Sequence, residues 1–112
     1  MTNFISTGST YWISDEEIHI LEENATNGDK NSAFKLYQYH MFVSLDQDLE
    51  FKWLEIAAEN GHSIAQSNLA DLFFTQGNKE KAIFWAKKAY RNGAKLPDEL
   101  KILININFIK LF

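Results

Sequence analysis

Three histidines, His19, His40 and His62, and fifteen acidic side chains are the residues with which this chain has chemistry available. A metal would need ligands gathered at short spacing, such as two histidines on adjacent helical turns, and the three histidines are far apart. The acidic pairs Asp15/Glu16 and Glu22/Glu23 are sequence neighbours. Adjacent residues on a helix point in different directions, so neither pair can flank one scissile bond. The chain has no cysteine, which removes thiolate nucleophiles, thiolate metal sites and disulfides. Its five glycines are scattered and none is followed by the lysine and hydroxyl pair that cradles a nucleotide phosphate. His40, between Tyr39 and Met41, is either a buried hydrogen-bonded residue or a contact residue. Pairing it with a carboxylate such as Asp71 is the one catalytic arrangement left, and no nucleophile, base and orienting group are legible around it. The expectation is a protein that is not an enzyme and has no metal and no cofactor.

The elements that carry these residues recur. Trp53, Ala57, Asn60 and Gly61 return as Trp85, Ala89, Asn92 and Gly93, a shift of 32. The same shift pairs Ala33 with Ala65, Tyr37 with Leu69, Met41 with Phe73 and Phe42 with Phe74, with no gap across the unit. A repeat of this length signals a solenoid, in which each unit buries its apolar face only against its neighbours. Within one unit Ala65, Leu69, Leu72 and Phe73 have helical spacing, and Ala82, Trp85, Ala86 and Ala89 repeat it after Gln76-Gly77-Asn78. Gly77 with Asn78, and Asn92 with Gly93, supply the positive φ that ends a helix. In the first unit the matching break falls near Ser44-Leu45-Asp46, without a glycine.

Upstream, Ile18, Leu21, Ala25, Asn27 and Gly28 match Phe51, Leu54, Ala58, Asn60 and Gly61 at a shift of 33, as a lone second helix. Ser14 followed by Glu17 is a capping box, so a helix is expected over Asp15 to Thr26. After Gly93, Pro97 at a first helical position and Asp98-Glu99 in the first turn predict a terminal helix. Ile104, Ile106 and Phe108 also alternate with Asn105 and Asn107 in a strand-like way. This segment is either a cap on the open end of the stack or an exposed apolar tail awaiting a partner. Phe4, Ile5, Tyr11 and Trp12 suggest that part of the N-terminal tail packs back.

The fold class expected is all-α, a short α-solenoid of stacked antiparallel helical hairpins with about five to six helices. The 112 residues form one domain: a tail over 1–13, a half-repeat helix over 14–28, repeats over 29–61 and 62–93, and a capping helix over 94–112. Met1 to Trp12 lacks both the basic region and the apolar run of a signal peptide, and no segment has the apolar length of a membrane span. A cytoplasmic location away from membranes is the expectation. Residues 1 to 56 carry ten acids against three lysines, whereas residues 57 to 112 carry eight bases against five acids. That division either reflects solvated outer faces or lets the acidic half steer a basic partner. Lys87-Lys88 beside Phe84 and Tyr90 hints at nucleic acid, but the net charge of −4 and the lack of a basic stripe argue against it.

From Trp53 through Ile56-Ala57-Ala58-Glu59-Asn60-Gly61-His62 to Ala65-Gln66 the chain resembles the Sel-one-like repeat, a relative of the tetratricopeptide repeat. Leu69-Ala70 and Phe73 look like that family's Leu-Gly and Tyr positions, and Lys81-Ala82, Trp85, Ala89 and Gly93 fit again. Tyr37-Gln38 departs from it in the first unit, and the unit is shorter than the family's usual one. The resemblance implies an α-solenoid whose first helices line a concave protein-binding face. Carried over by position, that face holds Lys35, Tyr39, Phe42 and Val43, then Ser67, Asn68, Asp71, Phe74 and Thr75. Phe42 and Phe74 are core residues on the other reading. The function expected is a non-catalytic protein-binding module, most concretely an immunity protein that neutralises a basic toxin, or else an adaptor for a resident enzyme. A monomer and a homodimer formed through the C-terminal segment are both open.

Overall fold

The computed structural model describes residues 10 to 109, with side chains as far as Asn105. Six α-helices run along it: α1 Asp15–Thr26, α2 Lys30–Tyr39, α3 Gln47–Glu59, α4 Ser63–Thr75, α5 Lys79–Arg91 and α6 Asp98–Ile109. A π-helical turn, His40–Ser44, continues α2. Among the described residues there is no strand, and the chain has the all-helical, repeat-like fold class expected of it.

One two-residue device closes one helix and opens the next. Its first residue takes a positive φ: Gly28 at 100°, Leu45 at 57°, Gly61 at 94° and Gly77 at 82°. Its second offers a side-chain acceptor to the next helix. Asp29 accepts from Asn31 N, Asp46 from Leu49 N, His62 Nδ1 from Ala65 N and Asn78 from Lys81 N, all at 3.1 to 3.2 Å. The ends of α1, α4 and α5 are Schellman motifs, in which two backbone N–H groups turn back to the last carbonyls. Gly28 N donates to Ala25 O and Asp29 N to Asn24 O, each at 3.0 Å. Gly77 and Asn78 do the same to Phe74 and Phe73, and Gly93 and Ala94 to Tyr90 and Ala89. The groups that a helix end leaves without partners are thereby used within two residues. Ser14 caps α1 as its sequence foretold, accepting from Glu17 N at 3.2 Å.

The backbone forms two compact units, Met1–Asn60 and Gly61–Phe112. In the first, α1 and α3 both pack on α2. Its core is Ala25, Ala33, Leu36, Tyr37, Trp53, Leu54, Ala57 and Ala58, with Ile13 beside the start of α1. Tyr11 stacks on Phe42 at 4.6 Å between ring centres, so the segment before α1 does pack back, although Trp12 is exposed. Phe4 and Ile5 lie outside the described residues. In the second unit α5 packs on α4, and α6 on both. Ala70, Ala86, Ala89, Leu96 and Leu100 form a cluster flanked by Phe74, Trp85, Leu103 and Ile104. Alanines at most 1% exposed recur in every helix from α1 to α5, and side chains that small let helix axes approach closely. Leu100 is fully buried, so the stretch from Leu96 to Ile104 covers the core of its unit, and from Asp98 onward it is helical, not alternating. Pro97 precedes α6, its carbonyl accepting from Leu100 N and Lys101 N at 3.0 and 3.1 Å.

The repeat is not free of gaps. Ser32, Ala33, Leu36, Tyr37 and His40 are the buried residues of the first helical stretch, and Ala65, Gln66, Leu69, Ala70 and Phe73 are their counterparts at a shift of 33. Cap to cap, Asp29 to Asp46 is 17 residues, while His62 to Asn78 is 16. The first unit thus carries one extra residue in its first helix, and the π turn absorbs it by widening one turn of backbone. The pairing at 32 of Ala33 with Ala65 and Tyr37 with Leu69 is one position out of register through α2.

Leu45 holds the position that glycine holds in the other three connectors and is 72% exposed. A left-handed non-glycine residue costs about 1–2 kcal/mol, and little apolar contact is lost with this side chain. Leu45→Gly is expected to raise stability by about 1 kcal/mol. Gly77→Ala, where a Cβ would meet nothing within 4 Å, is expected to lower it by a similar amount. Urea denaturation midpoints check both.

Candidate functional site

The outward side of α2 continues into the π turn as a column. Lys35 and Tyr39 are four residues apart, and Val43 follows four further on. Lys35 is exposed, while Tyr39, Phe42 and Val43 are half-buried. The buried stripe of Ala33, Leu36 and Tyr37 fixes which way this column faces, because it anchors the other side of α2. Phe42 is held under Tyr11, and the Tyr39 ring meets His40 edge-on at 5.1 Å.

On α4, Asp71 and Thr75 are exposed and Asn68 is half-buried. Thr75 Oγ1 donates to the carbonyl of Asp71 at 2.8 Å, which satisfies the hydroxyl locally. Ser67 is buried at 8% exposure, and Phe74 packs against the Ala70, Ala86 and Leu100 cluster, so these two serve the interior of their unit. The register explains Ser67. At the shift of 33 that burial supports, Lys35 corresponds to Asn68 and Phe34 to Ser67. Each unit therefore presents its own short row: Lys35, Tyr39 and Val43 in one, Asn68, Asp71 and Thr75 in the other.

Gln66 is only 3% exposed and accepts from Asn92 Nδ2 at 2.8 Å, tying the end of α5 to the start of α4. Trp53 is 2% exposed and sits in the core. Trp85 is half-buried, with Phe84 edge-on at 5.1 Å and the Lys88 ammonium 5.4 Å from its ring centre.

His40 is a buried hydrogen-bonded residue. It is 6% exposed, and its Nδ1 lies 2.7 Å from Ser44 Oγ across the π turn. Its Nε2 is buried without a hydrogen-bond partner. Burial holds the imidazole below the usual histidine range, against the opposing pull of the Asp46 and Glu22 carboxylates. Asp29, the cap of α2, is held below the usual carboxylate range chiefly by the Ser32 hydroxyl, which donates to it at 2.7 Å. His19 is surface-exposed, 3.6 Å from Glu22. Among the described residues no three His, Asp or Glu side chains gather as a metal site requires, and no helix is long and apolar enough to cross a membrane.

A groove of about 750 Å³ opens between α5 and α6, lined by Lys87, Tyr90 and Arg91 on one side and Leu96, Lys101 and Ile104 on the other. Its cations lie 14 positions apart in sequence, at Lys87 and Lys101, so only the packing of α6 on α5 brings them together.

No family model matches this chain, and no solved structure matches it. It is similar to uncharacterized protein YibG of Escherichia coli (strain K12), with 34% identity over 95 residues that cover 79% of this chain. The chain spans 62% of the length of that relative.

The His40 environment carries a pH dependence. The unfolded chain takes up a proton near the ordinary value of 6.5, whereas the folded chain resists it to lower pH. Over that window the unfolded state binds more protons, and stability falls as pH falls. Urea midpoints measured from about pH 7.5 to about pH 5.5 should decline less in His40→Gln than in the wild type. Equal slopes would mean that His40 does not contribute.

Proposed function

We propose that this chain is a non-catalytic protein-binding module of the Sel-one-like repeat kind, acting in the cytoplasm. Its most concrete form is an immunity protein that binds and occludes a basic toxin. The observation that carries the reading is the recurring helix, connector and helix, since repeats of this design hold a surface rigid for another macromolecule. The side chains offered are those of the two rows, with Lys35 and Tyr39 on α2 and Asp71 and Thr75 on α4 as the accessible members. Tyrosine supplies large contact area at low entropic cost, and a charged residue beside it selects the partner.

Electrostatics supports a basic partner. The unit Met1–Asn60 carries eleven acids against three lysines, a balance of −8. A field of that sign raises the encounter rate of a basic protein and is screened by salt. The same rows would serve an adaptor for a resident enzyme, and the identity of the bound protein separates the two.

Capture from the source cells with tagged protein, run beside the double variant Tyr39→Ala with Asp71→Arg, tests the reading. The expected result is a single stoichiometric partner whose affinity falls at least about tenfold in the variant, with an association rate that drops as salt rises. A toxin encoded beside this gene establishes immunity, and a resident enzyme establishes the adaptor. A partner retained unchanged by the variant overturns the assignment to these rows.

A further inference from the structure

The groove between α5 and α6 and the outer face of α1 carry opposite charge around exposed or partly exposed apolar side chains. The groove has a partly apolar floor, Leu96 and Ile104, with the 68% exposed Tyr90 at its edge. Three cations, Lys87, Arg91 and Lys101, stand around that floor. Helix α1 carries the opposite pattern. Ile20 is 58% exposed on it, a large apolar side chain facing water. Its neighbours one turn away on the helix surface are Glu16 and Glu17 on one side and Glu23 on the other, all exposed. One surface is a partly apolar hollow with three cations in its lining, and the other is an exposed apolar side chain with three carboxylates one turn away.

We propose that the groove is an interaction surface for a second copy of this chain, which inserts Ile20 of its α1 between α5 and α6. The carboxylates of Glu16 and Glu23 then lie against Arg91 and Lys101, and Ile20 covers Leu96 and Ile104. The division of charge favours a second copy as the occupant. The unit that holds α1 has a balance of −8, and the unit that holds the groove has eight bases against four acids. Copies therefore attract when unlike units meet. The contact is one helix face on one groove, in the class of small interfaces below about 1,200 Å² that associate weakly. It goes beyond the proposed function and does not rest on it, because neither surface includes the rows of α2 and α4.

Sedimentation equilibrium on the full chain tests this, from about 10 µM to about 1 mM in low salt and again in about 300 mM salt, where the Debye length is short. The weight-average mass is expected to rise above 13.0 kDa with concentration in low salt and to return toward 13.0 kDa in high salt. Two variants then locate the contact. Arg91→Glu with Lys101→Glu reverses the groove, and Glu16→Lys with Glu23→Lys reverses the helix. All four positions are exposed, and circular dichroism checks that each variant keeps its helices. Each variant alone should stay at the mass of one copy, and an equimolar mixture should associate again, since the reversed helix fits the reversed groove. A wild-type chain at 13.0 kDa at every concentration overturns the proposal. So does association that survives either reversal, which would place the contact elsewhere, and so does a mixture that fails to recover it.

Discussion

Four of the five connections between helices turn on one positive-φ residue followed by one capping residue, and much of the rest of the structure is a consequence. A helix end leaves four carbonyls and the next start leaves four N–H groups without partners. With so little chain, the first connector residue must turn left-handed so that backbone N–H groups reach back. The second must carry a short acceptor, as Asp29, Asp46, His62 and Asn78 do. The turn also brings the helices within each unit close together at once. Alanine then becomes the natural seam residue, which is why Ala33, Ala57, Ala65, Ala82, Ala86 and Ala89 are fully buried while larger side chains flank them.

That constraint explains the π turn and the environment of His40 together. The extra residue of the first repeat is absorbed inside the helix, and the connector that follows keeps the two-residue form of its counterparts. The widened turn falls over His40–Ser44, where a histidine stands at the buried position that Phe73 fills in the second repeat. Ser44 serves Nδ1, and Nε2 remains unpartnered in a buried place. A buried polar atom left so is costly, and the neutral ring is the form that tolerates it. Burial of the ring is what lowers its proton affinity, against the pull of the Asp46 and Glu22 carboxylates.

Most of the fold was legible in the sequence because its signals are local. The extent of α1, the turns at Gly77 and Gly93 and the buried alanine and leucine positions follow from capping chemistry and helical spacing that neighbouring residues carry. The register of α2 was not legible. Identical residues at 33 and 65 suggested an ungapped repeat, and only the pattern of burial shows that Ala33 corresponds in repeat position to Gln66. The clue was the connector Leu45-Asp46, where the absence of a glycine hid the same turn and so hid the spacing of 17 residues between caps. Of the adjacent pair Ser67 and Asn68 expected on the face, Ser67 is buried, and at the shift of 33 Asn68 is the counterpart of Lys35.

The groove was invisible for a different reason, and it bears on how the net charge should be read. A total of −4 describes no place on this molecule. Lys87 and Arg91 belong to a helix whose lysines look like an ordinary solvated face, and Lys101 belongs to a segment dominated by Ile, Leu and Asn. Sequence spacing cannot join them, since the α5–α6 packing that does so is set by the buried Leu96 and Leu100. The apolar residues that close the core of the second unit thus also gather its cations at one rim. Charge of either sign governs how often partners meet, whereas desolvated apolar contact governs how long they stay. Surfaces that combine the two, such as the rim around Leu96 and Ile104 or the carboxylates around Ile20, are where this chain has the means to hold another molecule.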